Sequence, residues 1–517
     1  MAIITLRKAL KYQPVELGFG TSGLRGLATD MTDLECYINT CGFLKFLINT
    51  EDLALGTEVA FAGDLRESTP RITQAVAQAI SDCGFRSLNL GKVPTPTAAY
   101  YSFTNNRPLA MVTGSHIPGD RNGIKFYKRR SEVLKQDEPL IKLEVAKVRN
   151  KIYSQPYDNS LFDSDGKLKQ KPPLPGETDS ISVFLDRYTS LFEPTPLKNR
   201  KVIVYQHSSL AAEMLVDLMN RLGAEAIPVD KADKFIPIDT ENVTPENQKY
   251  FKELAARFPG NFAIISADGD ADRPFVIDET GTFQRGDILG ALTAQFLKVK
   301  AAAVPISASD VIDSYLDKLD IEVVHTKIGS PYVIEAMQTL AEDGHNPVAG
   351  WEVNGGFLTG SDIKINGHKL KPLATRDAFL PIVCALVMAS QANRKLSELF
   401  AALPARFTQA GLLDEFPVDR SQAILRKFSG NSASIYQDLA KFFRPKDGFG
   451  KIIDINSLDG IRITFNNHEI AHIRPSGNAP QLRIYSVADS QNRADEIVAV
   501  ALDEPDGILR QLERGVV

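Results

Sequence analysis

Cysteine is scarce in this sequence: Cys36, Cys41, Cys83 and Cys384 are the four among 517 residues, and no two form a C-x-x-C pair. That density excludes a disulfide-stapled scaffold and suits a reducing compartment, where the four thiols read as core filler. Long basic runs are missing too. Beyond Lys128-Arg129-Arg130, Lys and Arg are dispersed and the formal net charge is -5, which excludes a nucleic-acid footprint. The apolar run from Ala378 to Ala389 is too short to cross a bilayer. Met-Ala-Ile-Ile-Thr-Leu-Arg-Lys at the start has too few apolar residues for a signal segment. The expectation is a cytoplasmic protein with neither nucleic-acid nor membrane partners.

Hydrophobic residues make up 43% and charged residues 24%, the proportions of an ordinary globular chain. The length exceeds what one core supports, so three or four domains of about 100–150 residues are expected. From Glu58 the pattern reads strand Val59 to Ala62, helix Pro70 to Cys83, strand Ser87 to Leu90, helix Pro96 to Thr104 and strand Leu109 to Val112. The same β-α-β-α-β order runs from Val202 to Ser266 and again from Ala302 to Trp351. These are three similar α/β modules with mostly parallel sheets. Gln155 to Ser180, rich in Pro, Gly, Asp, Ser and Lys, reads as an exposed connection. After about Ala405, the alternation in Ile461 to Phe465 and Leu482 to Tyr485 and a helix from Arg493 to Leu502 predict an α+β domain.

Open α/β sheets bind ligands beyond the carboxyl ends of their strands. The unusual residues gather after each third strand: Thr113-Gly114-Ser115-His116, Asp268 to Arg273, and Glu352 to Gly356. Asp268, Asp270 and Asp272 alternate along one tight loop, a spacing that converges oxygen ligands on a hard cation such as Mg²⁺. A solvated acidic turn or a weak Ca²⁺ loop are the alternatives. Ser115, on a Gly-flanked loop with His116 beside it and Lys125 downstream, can carry a transferable phosphoryl group; a plain turn with a surface lysine has the same letters. Arg474-Pro475-Ser476-Gly477-Asn478 offers the donors that grip a phosphate dianion, and is also good hairpin chemistry. Gly20 to Gly26 looks like a phosphate loop but has neither the Walker A lysine nor a Rossmann spacing.

Taken as a set and in this order, these segments resemble the α-D-phosphohexomutase superfamily across nearly the whole chain. Gly20-Thr-Ser-Gly-Leu-Arg-Gly26 is similar to its N-terminal active-site loop, Thr113-Gly-Ser-His116 to its phosphoserine loop and Asp268-Gly-Asp-Ala-Asp-Arg273 to its metal loop. Gly350-Trp-Glu-Val-Asn-Gly-Gly356 is similar to its sugar-binding loop and Arg474-Pro-Ser-Gly-Asn478 to its phosphate-binding loop. The resemblance implies four domains around a central cleft: residues 1–178 with the phosphoserine loop, 179–298 with the metal, 299–410 with the sugar loop, and a C-terminal α+β domain over 411–517.

It further implies Ser115 as phosphoryl carrier, with Asp268, Asp270, Asp272 and the Ser115 phosphate around Mg²⁺. Lys125 would be a general acid/base, with Arg25 and His116 supporting the reacting phosphate and Arg273 next to the metal site. Glu352, Asn354 and Gly355 would meet the sugar, and Arg474, Ser476, Gly477 and Asn478 the phosphate that stays. The reaction implied interconverts hexose 1-phosphate and hexose 6-phosphate through a phosphoserine and a hexose 1,6-bisphosphate, which also serves as activator. Phosphomannomutase is the first reading and phosphoglucomutase or a dual-specificity enzyme the next. Phosphoglucosamine mutase, a non-catalytic phosphosugar binder and a metal-dependent phosphatase stand behind them. The partner expected is a small phosphosugar, and the oligomeric state is left open between monomer and dimer. Two departures stand out: Asn354 and Gly356 occupy the places where many relatives carry Ser and His, and Asn478-Ala479 those of Thr and Glu.

Overall fold

The computed structural model describes residues 4–20, 23–51, 53–192, 195–232, 234–236, 238, 240–241, 243–476 and 480–516. The chain forms two compact units. The larger holds Met1–Ala303, Leu316–Val324 and Gly329–Phe400, and the smaller holds Val304–Tyr315, His325–Ile328 and Ala401–Val517.

Three mixed sheets repeat one strand order. In the first, Arg121–Tyr127, Leu109–Val112, Glu58–Gly63 and Arg86–Lys92 lie side by side, extended at one edge by Leu24–Leu27 and Gly18–Phe19. Pro274–Asp278, Ala263–Ala267, Lys201–His207 and Glu225–Lys231 make the second, and Phe357–Thr359, Val348–Trp351, Ala301–Pro305 and Glu322–Thr326 the same run in the third, which adds Leu373–Asp377. In the first two, the strand that opens the module is parallel to both of its neighbours. The expected modules are therefore present, with one element more. In each, the third strand turns back into an antiparallel strand, so the three loops that hold Ser115, Asp268 to Arg273 and Glu352 to Gly356 are hairpin turns.

Local sequence explains the elements. Ala263–Ala267 and Ala301–Pro305 are buried at every residue, as strands covered on both faces must be. Helix Ala212–Arg221 buries Met214, Leu215, Leu218 and Met219 along one stripe, which is helical spacing. Helix Pro245–Arg257 starts where the Thr244 hydroxyl accepts the Asn247 N–H and Pro245 takes the first turn, two standard start signals. The apolar run after Ala378 is helix Phe379–Gln391, buried along most of its length. No described helix is long and apolar enough to cross a membrane.

The connection over Gln155 to Ser180 is exposed from Lys169 to Glu177, as expected, but its earlier part is anchored. Phe162 and Leu168 pair across a bridge and sink into the first module's core beside Tyr37. Two apolar residues in a polar stretch suffice, because a turn held by the Asp163 carboxylate brings them to one side. In the smaller unit five antiparallel strands run in the order Phe407–Leu413, Leu482–Ala488, Ile470–Pro475, Ile461–Phe465 and Ile452–Asn456. Helix Gln491–Leu502 packs on this sheet through Ala494, Ile497, Val498 and Ala501, giving the α+β architecture expected there.

Candidate active site

Ser115 lies at the turn between Leu109–Val112 and Arg121–Tyr127, almost fully buried and with φ of 52°. Its hydroxyl donates to Asp268 Oδ2 at 2.7 Å and lies 3.4 Å from His116 Nδ1. The residue that shapes this loop is Arg66, which the sequence reading did not single out. Its Nη2 donates to the carbonyls of Ser115 at 2.8 Å and Ile117 at 2.6 Å, and its Nη1 to those of Pro118 at 2.6 Å and Arg121 at 3.0 Å. Asp64 holds the same guanidinium through Nε at 3.1 Å and also accepts the Gly114 N–H, while the Phe235 ring lies 4.1 Å beneath it. Four carbonyls on one buried fork leave the loop little freedom.

Gly114 is the residue that admits this fork: a Cβ there would lie 2.4 Å from Arg66 Cζ. Gly114→Ala is accordingly expected to expel the guanidinium. The outcome is a loss of about 2–4 kcal/mol in stability and about a hundredfold in kcat from a misplaced Ser115 hydroxyl. Thermal melting and steady-state rates check it, and an alanine variant with wild-type rates would dissociate Arg66 from the site.

Asp268, Asp270 and Asp272 are all buried, with ligand oxygens within 4.8 Å of one another. Asp268 Oδ1 accepts the N–H groups of Asp272 and Arg273 at 3.1 Å each, closing a turn in which Ala271 has φ of 57°. Asp270 Oδ2 accepts from Thr95 Oγ1 at 2.6 Å and from Lys125 Nζ at 2.7 Å; Asp272 Oδ2 accepts from Lys125 Nζ at 2.6 Å and Arg376 Nη2 at 2.7 Å. The opposite oxygens, Oδ1 of Asp270 and Oδ1 of Asp272, are buried without a hydrogen-bond partner among the described residues. Buried acceptors left in that condition are costly. A hard cation taking oxygen ligands satisfies them, so the donor set fits Mg²⁺.

Charge in the site is tightly paired. Burial, with Asp270 and Asp272 beside it, raises the Asp268 carboxyl well above the usual carboxylate range. Burial would raise Asp272 too, but Arg376, Lys125 and Arg273 hold it below that range. Burial works against the Lys125 ammonium, yet Asp270 and Asp272 more than compensate and keep it protonated. Burial, with Arg273 and Arg376 nearby, brings the Arg25 guanidinium down to about 10. His116 is pushed down to about 2 by burial and by Arg273 and Arg25, so its imidazole is neutral in this arrangement.

In the third module, Glu352 and Asn354 are buried on the hairpin turn. The turn closes on itself: Gly355 N–H donates to the Glu352 carbonyl, Glu352 N–H to the Gly356 carbonyl and Gly356 N–H to Asn354 Oδ1. Asn354 Nδ2 donates to Glu241 Oε1 at 3.1 Å, and Arg273 Nη1 lies 3.7 Å from the same oxygen. Arg474 and Ser476 belong to the smaller unit. There Arg474, at the end of strand Ile470–Pro475, donates through Nε to Asp459 Oδ1 at 2.9 Å, and Asp459 Oδ2 accepts the Ile328 N–H. Asp459 thus fixes the guanidinium and was not anticipated. Gly477 and Asn478 lie outside the described residues, as do Thr21 and Ser22 of the N-terminal loop.

A buried serine hydroxyl against three clustered carboxylates, on a thrice-repeated sheet, is the setting in which comparison with known proteins decides. Residues 16–151 match the description "Phosphoglucomutase/phosphomannomutase, alpha/beta/alpha domain I" and residues 285–407 the corresponding domain III. The chain belongs to the phosphoglucomutase/phosphomannomutase family. It is 39% identical to a phosphomannomutase of Salmonella muenchen over 94% of this chain and 95% of that protein. To a phosphomannomutase of Sinorhizobium fredii it is 35% identical, over 94% and 98%. Its fold is similar to the crystal structure of a putative phosphomannomutase from Thermus thermophilus, with a TM-score of 0.70 and 17% identity over 94% of this chain and 98% of that one. The α-D-phosphohexomutase resemblance read from the motifs is borne out, and with it the class of phosphoryl-moving isomerase.

Proposed function

We propose that this enzyme is a phosphomannomutase that interconverts mannose 1-phosphate and mannose 6-phosphate through phospho-Ser115. The observation that carries the reading is the Ser115 hydroxyl, 2.7 Å from Asp268 within a carboxylate cluster that keeps two buried oxygens without a hydrogen-bond partner among the described residues; the two similar proteins named above, at 39% and 35% identity, supply the sugar. Asp268, Asp270 and Asp272 would hold Mg²⁺ together with the Ser115 phosphate, and the charge such a cation would supply there is what transferring phosphoryl oxygens need. Lys125 donates a proton to the sugar oxygen from which phosphate departs, and Arg25, Arg273 and His116 face the reacting phosphate. Glu352, Asn354 and Gly355 orient the sugar. Arg474, Ser476, Gly477 and Asn478 grip the phosphate that stays, so that the bisphosphate can turn over and return its other phosphate to Ser115. A hexose 1,6-bisphosphate primes the serine. The same reading divides the chain at residues 178, 298 and 410.

The test offers the protein mannose 1-phosphate and glucose 1-phosphate separately, with Mg²⁺ and a trace of the matching bisphosphate. A higher kcat/KM with mannose 1-phosphate is expected. Faster turnover of glucose 1-phosphate would overturn the sugar assignment, and no isomerisation of either would overturn the mutase.

A further inference from the structure

The sugar loop has no side chain at Gly356, and the space is filled from elsewhere. A Cβ on Gly356 would lie 2.6 Å from Arg376 Cδ and 2.7 Å from the Asp272 carbonyl oxygen. Arg376 comes from strand Leu373–Asp377 and is 3% exposed. Its Nη1 donates to Glu352 Oε2 at 2.5 Å, while Nη2 and Nε reach Asp272 Oδ2 at 2.7 and 3.2 Å. One planar fork therefore spans the metal loop and the sugar loop, two edges on two carboxylates. Its strand is pinned from the first module as well: Glu132 accepts from Thr375 Oγ1 at 2.6 Å and from Ser330 Oγ at 2.7 Å.

Resting on the proposed mutase reading, we propose that Arg376 is a positioning residue that sets sugar discrimination by tying Glu352 to the metal ligand Asp272. By engaging Asp272 Oδ2 together with Lys125, it leaves Oδ1 as the oxygen presented to a cation. By engaging Glu352 Oε2, it leaves Oε1 for a sugar hydroxyl. The distance from gripped hydroxyl to transferring phosphate is then fixed by one rigid group, and a hexose with that hydroxyl in the other configuration presents it to the wrong place. A lysine cannot reproduce the link, because a single ammonium on a flexible stem lacks the second edge.

The test compares the full-length wild type with Arg376→Met and Arg376→Lys. Arg376→Met is expected to lose at least about tenfold in kcat with KM little changed, since positioning acts on the reacting geometry. The ratio of kcat/KM between mannose 1-phosphate and glucose 1-phosphate should narrow by about fivefold or more. Mn²⁺ alone, titrated without sugar and followed by electron paramagnetic resonance, should bind about threefold more tightly once a cation is removed from beside Asp272. A merely structural defect would loosen it instead. Arg376→Lys is expected to restore Mn²⁺ affinity but not sugar discrimination. Unchanged discrimination in both variants, or its full rescue by lysine, overturns the proposal. If the methionine variant fails to melt cooperatively, the lysine variant decides alone: wild-type discrimination in it overturns the proposal. If the wild type isomerises neither sugar, the mutase reading has failed, and Mn²⁺ affinity in Arg376→Met no tighter than in the wild type overturns the link to Asp272 on its own.

Discussion

Ser115→Ala is expected to abolish isomerisation, by at least about ten-thousandfold in kcat, because no other hydroxyl in the loop stands against the carboxylate cluster to carry the phosphoryl group. Asp268 loses only its 2.7 Å donor, and Arg66 keeps its grip on the carbonyls of residues 115, 117, 118 and 121. The loop therefore stays formed and phosphosugar binding outlasts catalysis. Wild-type protein incubated with labelled hexose bisphosphate should acquire label on Ser115, read by peptide mass spectrometry, and added monophosphate should discharge it to sugar. Release mainly as free phosphate would indicate a phosphatase, and a chain never labelled would indicate a binder. A Ser115→Ala protein that still isomerises would remove the phosphoserine from the mechanism.

The second large effect concerns Asp270. Asp270→Ala removes one of the two buried oxygens without a hydrogen-bond partner among the described residues and a partner of Lys125 and Thr95, yet Lys125 remains paired with Asp272 at 2.6 Å. The fold should persist, as circular dichroism would show, because the turn is closed by the Asp268 carboxylate and not by Asp270. Turnover should fall about a thousandfold or more, with Mn²⁺ binding weakened in parallel, and chelation of the wild type should produce a comparable loss that added Mg²⁺ reverses. Near-normal rates with an unchanged metal requirement would sink the metal assignment.

The residues legible in the sequence were those whose chemistry is contiguous. Asp268, Asp270 and Asp272 announce themselves because like charges on alternate positions repel unless something gathers them. The parallel strands were legible because burial on both faces leaves an unbroken apolar run. The return strand Arg121–Tyr127 was not, since Arg121, Asn122 and Lys125 interrupt its pattern; the interruption is itself the signal, a polar strand that delivers Lys125 to Asp270 and Asp272. Arg66 and Arg376 were invisible for another reason. The carbonyls that Arg66 grips lie 49 to 55 residues away along the chain, and the carboxylates that Arg376 joins lie 24 and 104 residues away; no local pattern encodes such contacts. What the sequence did contain was Asp64-Leu-Arg66 directly after a buried strand and Arg376-Asp377 directly before a buried helix. Charges placed there must be paired to be tolerated.

The left-handed backbone at Ser115 has a consequence of its own. A residue with a Cβ pays conformational energy at φ of 52°, whereas glycine adopts that region at ease. The best residue for the backbone and the best residue for the chemistry are thus different at this one position, and only the second carries an oxygen nucleophile. Selection for a durable protein and selection for a working one pull in opposite directions there. The rigid hold of Arg66 on the surrounding carbonyls is what lets activity prevail.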